Sequence, residues 1–131
     1  MKVMFDINVV LDIVANRVPH YESSRAAYLK TIENGDEPYV AIHAVATLYY
    51  LLGGAATRRQ RDAAMAWICD SFTIAGAGEN EVQSARTLGL LDFEDALVVA
   101  SALSSGCERI VTRNVADFKG APIPVVAPVD F

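Results

Sequence analysis

The amino-acid sequence predicts an α/β protein, a parallel sheet of about four to five strands flanked by helices. Three observations lead there. Short apolar runs rich in β-formers alternate with helix-length amphipathic stretches almost from end to end. Parallel neighbours need crossovers, and helical crossovers bury both faces of the sheet. The 131 residues, 53% hydrophobic and 21% charged, suit one core, so residues 1–131 are expected to form a single domain. No internal repeat, low-complexity segment or linker-like stretch interrupts them.

"KVMFD" at the start alternates weakly and ends in an acid, which reads as a strand. "VVLDIVAN" after it has apolar residues at helical spacing. "RVPH" is a loop. The stretch from Tyr21 to Asn34 is the next helix, with Ser23 or Ser24 able to cap it and Gly35 placed to stop it. "YVAI" is a short buried strand, and "HAVATLYYLL" an apolar helix closed by Gly53 and Gly54. "TRRQRDAAMAWICD" reads as a helix, "FTIA" as a strand and "ENEVQSARTLG" as a short helix. "LDFEDALVVASAL" begins a helix that ends by Gly106, and "ERIVT" is the strand beyond it. A loop, "RNVADFKGAP", leads to the last strand, "IPVVA", bounded by prolines.

The bulk properties narrow the function classes. No apolar run approaches the roughly 18 to 20 residues that span a bilayer, and "MKVMFD" reaches an acid too early for a secretory signal. No membrane partner and a cytoplasmic location are expected. Cys69 and Cys107 form neither a disulfide framework nor a metal-spaced cluster. A net charge of −5 argues against a non-specific nucleic-acid coat but is compatible with a phosphate substrate held through a metal.

The acids have a pattern. In an open parallel sheet, ligands bind beyond the carboxyl ends of the strands. Asp6 lies at such an end, and the loop after "RIVT" supplies Asn114 and Asp117. Asp92 and Asp95 open the helix before that strand. Carboxylates that converge in one cleft repel each other, so some stay protonated or a cation joins them. Hard oxygen donors suit Mg²⁺ or Mn²⁺, with water and substrate phosphate completing the shell, an arrangement that favours phosphodiester hydrolysis. Each acid also has a plain structural use. Asp92 and Asp95 fit an N-cap followed by an acidic third position, Asp6 and Asp117 fit turn residues, and Glu94 and Asp12 fit solvated helix faces.

With these residues in view, the chain resembles the PIN-domain ribonucleases that serve as toxins of toxin-antitoxin pairs. "FDINVVLD" is similar to the family's strand ending in Asp-x-Asn, "DFEDALVVASAL" to its Asp-Ala-Leu helix, and "IVTRNVADF" to its closing Thr-Arg-Asn loop. The resemblance implies a metal-dependent endoribonuclease with Asp6, Asp95 and Asp117 as its acidic residues around Mg²⁺ or Mn²⁺. Asn8 matches the residue that helps hold the first acid, and Thr112 and Asn114 match neighbours of the last. Asp92 is a further ligand, a supporting group or only the cap. Arg113 contacts RNA phosphate or is a surface residue. RNA is the implied substrate, and an antitoxin protein and a second copy of the chain are the implied partners.

One departure stands out. Most members carry a Glu where "VATLYYLL" puts Thr47, which leaves one carboxylate fewer. Thr47 then either holds a water bound to the metal or is a plain helix residue. The alternative to the enzyme is therefore a catalytically weakened module of the same fold that binds RNA or a protein. A covalent phosphatase fits less well, because it wants an Asp-x-Asp where Asn8 stands. Arg58, Arg59 and Arg61 would guide RNA or form a solvated face. His20 and His43 are read as structural or surface residues, and Tyr49, Tyr50 and Trp67 as core.

Overall fold

The computed structural model describes residues 1–131. Five strands form one parallel sheet in the order β3-β2-β1-β4-β5, where β1 is Lys2–Phe5, β2 Glu37–Ala41, β3 Thr73–Ala75, β4 Arg109–Val111 and β5 Val125–Val126. Six helices flank it: α1 (Ile7–Val14), α2 (Tyr21–Glu33), α3 (Ile42–Leu52), α4 (Arg58–Ser71), α5 (Glu79–Thr87) and α6 (Phe93–Ser104). The order reverses beside β1, whose neighbours are β2 and β4. Such a switch point opens a crevice beyond the strand ends.

The core follows the strands. Val3, Met4 and Phe5 on β1 and Ile110 and Val111 on β4 are fully buried, as apolar runs in a sheet covered on both faces should be. On α3, Ala44, Leu48 and Leu52 recur every fourth residue and face inward, while Tyr50 and Leu51 are exposed. Tyr50 is therefore not the core residue that its apolar surroundings suggest. Phe5, Tyr28, Trp67 and Phe72 form an aromatic cluster, with Phe5 and Phe72 ring centres 5.7 Å apart and steeply inclined. That cluster anchors α2 and α4 over the strand that carries Asp6.

Several boundaries depart from the sequence reading. The first helix begins at Ile7, directly after the strand, because the Asp6 side chain caps it. β2 begins two residues before "YVAI" and includes Pro38. Pro38 is aligned with Val3 on β1, whereas pairing with β3 starts only at Tyr39, so its missing N–H falls where one edge is still free. Neither Ser23 nor Ser24 caps α2. His20 occupies that position without a side-chain bond, and Ser24 is buried against Asp12. Gly35 stops the helix as expected, with φ of 76°, a conformation that suits glycine. The loop after β4 contains a 3₁₀ turn, Val115–Phe118. No helix is long and apolar enough to cross a membrane.

Candidate active site

Asp6 directly follows the central strand and is almost fully buried. Its Oδ1 accepts the Ile7 amide hydrogen at 2.8 Å, and its own amide donates to the Val111 carbonyl at 2.9 Å. Its Oδ2 accepts from the Thr112 hydroxyl at 2.7 Å and from Asn8 Nδ2 at 3.1 Å. Asn8 uses both ends of its amide: Nδ2 also reaches Thr112 Oγ1 at 3.2 Å, and Oδ1 accepts the Arg113 amide hydrogen at 3.2 Å. The Asn114 amide donates to Thr112 Oγ1 at 3.1 Å. Burial pushes the Asp6 carboxyl above the ordinary value, while the Thr112 and Ile7 hydrogen bonds and the His43 and Arg113 charges pull it back. A carboxylate held this way is fixed in place and poorly solvated.

The first turn of α6 carries Asp95, within reach of the Asp6 charge. Its carboxyl is pushed up to about 7, first by burial and then by the charges of Asp6, Asp92, Asp117 and Glu94. Five acids on three segments therefore share one electrostatic neighbourhood. Asp92 is the N-cap of α6, its Oδ1 accepting the Asp95 amide hydrogen at 3.0 Å, so the capping role read from the sequence is real. Asp117 is exposed on the 3₁₀ turn. A cavity of about 540 Å³ is lined by Asp92, Asp95, Asp117 and Lys119, with Leu90 and Leu91 at its wall. Asp6 lies outside that lining.

As the side chains stand, no three His, Cys, Asp or Glu groups close around a point that would hold a metal ion. The donor chemistry nevertheless fits a hard divalent cation. Mg²⁺ and Mn²⁺ need only one or two carboxylates, water supplying the rest. The like charges that raise Asp95 are those a cation would offset.

Other residues are placed in ways the sequence does not reveal. Asp12 is fully buried rather than solvated, because Arg113 and Ser24 bind it inside the fold. The Arg113 guanidinium is thus occupied on the inner side of α1. Thr47 Oγ1 donates to the His43 carbonyl at 3.0 Å, so α3 offers no carboxylate and its hydroxyl hydrogen is used within the helix. Arg61 lies over the Tyr49 ring, 4.8 Å from its centre, and none of Arg58, Arg59 and Arg61 lines the acidic cavity.

Two residues join the site that sequence reasoning did not assign to it. Lys119 is the one cation in the cavity lining; its place next to "ADF" is the only hint in the sequence. His43 is the second. Both its ring nitrogens are buried without partners, and the charges of Glu94 and Asp6 act on it. Burial lowers its pKa from 6.5, against the Glu94 backbone contact and those two charges. A depressed folded pKa gives stability that is present above the unfolded value and lost as pH falls through the folded one. The expected result is that His43→Leu melts higher than the wild type, with the gap widening from pH 7 to pH 5 in thermal denaturation. A constant gap would mean that the imidazole does not resist protonation.

A family model described as PIN domain matches residues 2–116. No curated protein sequence matches the chain at a significant level. Among solved structures, VapBC2 from Rickettsia felis, bound to a DNA fragment from its promoter, superposes with a TM-score of 0.78 at 15% identity, covering 97% of this chain and 98% of that one. VapBC-1 from nontypeable Haemophilus influenzae gives 0.76 at 16% identity over 99% and 100% of the two chains. Mycobacterium tuberculosis VapC20, a toxin that cleaves the sarcin-ricin loop, gives 0.64 at 13% identity over 82% and 86%. At such identities the likeness to solved structures is a likeness of fold.

Proposed function

The chain belongs to the PIN-domain family, and from that premise we propose that it is a divalent-metal-dependent endoribonuclease, the toxin of a toxin-antitoxin pair. One observation carries the reading: the Asp95 carboxyl is raised to about 7, first by burial and then by the charges of Asp6, Asp92 and Asp117, which lie on the same edge of the sheet. Acids that destabilise one another at the open end of a sheet suit a cation better than they suit a fold. The RNA-cleaving toxin among the structural neighbours supports the substrate class, and the VapBC complexes support an antitoxin partner.

In this reading Asp6 and Asp95 would hold Mg²⁺ or Mn²⁺, and Asp117, exposed at the rim, would orient a water toward the phosphate. A bound divalent ion supplies Lewis acidity, lowering the pKa of water and offsetting charge on the phosphoryl oxygens. Thr112 and Asn8 aim the Asp6 carboxylate, and the Thr112 bond opposes the upward push of its burial, while Lys119 would meet the RNA backbone as a point charge. For the antitoxin, the chain offers an apolar groove of about 800 Å³ bordered by Val14, Tyr21, Tyr28, Leu52 and Trp67.

The test is cleavage of RNA in Mn²⁺ or Mg²⁺, with loss on chelation and recovery when metal is restored. Cleavage indifferent to chelation would remove the metal from the mechanism. The weakened-module alternative draws on Thr47, whose hydroxyl is turned into its own helix. It predicts no cleavage and no rise in melting temperature at millimolar Mn²⁺.

A further inference from the structure

We propose that the ion pair between buried Asp12 and half-buried Arg113 is a positioning device for the acidic site, holding the segment from Thr112 to Asp117 in register with Asp6. The inference rests on the nuclease reading above. Arg113 grips α1 at two points one turn apart. Its amide hydrogen goes to Asn8 Oδ1 at 3.2 Å, and its guanidinium reaches Asp12 with Nε at 2.7 Å from Oδ2 and Nη2 at 3.3 Å from Oδ1. Asn8 and Asp12 stand at i and i+4 on one face of the helix, so main chain and side chain of one residue lock to one stripe.

The neighbours of Arg113 in sequence carry the site. Thr112 holds Asp6, Asn114 donates its amide hydrogen to Thr112, and the Asp117 amide donates to the Asn114 carbonyl at 3.0 Å. Asp12 is itself immobilised. Ser24 Oγ donates to Oδ2 at 2.9 Å from α2, and Arg17 Nε lies 3.5 Å from Oδ1. A two-pronged guanidinium contact fixes direction as well as distance, which an ammonium does not.

Stability alone does not account for such a pair. Replacing a buried ion pair with apolar side chains of similar volume is often neutral or stabilising, so what the pair supplies is a fixed geometry. Arg113 is therefore a positioning residue, and Lys119 is the cation that lines the acidic cavity.

The test uses the full chain with Asp12→Leu and Arg113→Met combined, and Arg113→Lys singly. Thermal unfolding, the Mn²⁺ midpoint read from thermal shifts, and kcat and KM on a fluorogenic RNA oligonucleotide are compared with the wild type. The double variant is expected to melt within a few degrees of the wild type, yet to need about 10-fold more Mn²⁺ and to lose about 10- to 100-fold in kcat with KM little changed. Arg113→Lys keeps the charge and loses the fork, so it should shift both readouts in the same direction even if the double variant does not fold. Wild-type Mn²⁺ midpoint and kcat in either variant would overturn the proposal while leaving the nuclease reading intact. A wild type that neither responds to Mn²⁺ nor cleaves would end the nuclease reading, and this proposal with it.

Discussion

Asp95→Asn is expected to make the metal-free protein more stable at pH 8 while reducing RNA cleavage by more than about 100-fold. The Asp95 carboxyl lies at about 7 in the folded chain against 3.8 for the free group, so folding favours its protonated form. A raised pKa gives stability that is full below the unfolded value and lost as pH rises through the folded one. Asparagine mimics the protonated acid at every pH. The shift from 3.8 to about 7 corresponds to about 4 kcal/mol before screening. Asp95 is partly exposed, so screening reduces this to about 1 to 2 kcal/mol. Denaturant unfolding with a chelator present should show the variant ahead at pH 8 and level with the wild type near pH 4. With Mn²⁺ the order should reverse, because only the wild type gains from binding. A variant that is less stable without metal at pH 8 would mean that Asp95 serves the fold.

The segments whose class depends on their own periodicity were legible from sequence. "RIVT" and "FTIA" are strands, "HAVATLYYLL" is a helix, and the acids at "LDFEDAL" sit where a helix starts, with Asp92 as its cap. What periodicity cannot supply is the partner that arrives from far along the chain. Asp12 looks like a polar residue on a surface helix until Arg113, on the far side of the sequence, meets it inside the fold. Ser24 likewise looks like a cap until it is found donating to that same carboxylate. His43 has no local signature at all. It joins the acids because β2 lies beside β1, which brings the first turn of α3 next to Asp6. The resemblance to a known family named Asp6, Asp95 and Asp117, and the structure adds the charge that links them.

Thr112→Val should cost about 2 to 3 kcal/mol in folding stability and about 10- to 100-fold in cleavage, although the side chain keeps its shape. The Thr112 hydroxyl donates to Asp6 Oδ2 at 2.7 Å and accepts from Asn8 Nδ2 and from the Asn114 amide. Valine removes all three interactions in a fully buried place where water does not replace them. Because the Thr112 bond is the leading influence that lowers the Asp6 pKa, its loss pushes that carboxyl further up. Two consequences separate this from simple destabilisation. The rising limb of the cleavage pH profile should move to higher pH, since Asp6 must ionise to bind a cation, and the Mn²⁺ midpoint should rise with it. Thr112→Ser retains the hydroxyl and should recover both, although it loses the methyl group from the core. If Thr112→Val lowered stability but left the pH profile and the Mn²⁺ midpoint in place, Thr112 would be a core residue with a satisfied hydroxyl. The Ile7 hydrogen bond and the Arg113 charge would then be what opposes the upward push of burial on Asp6.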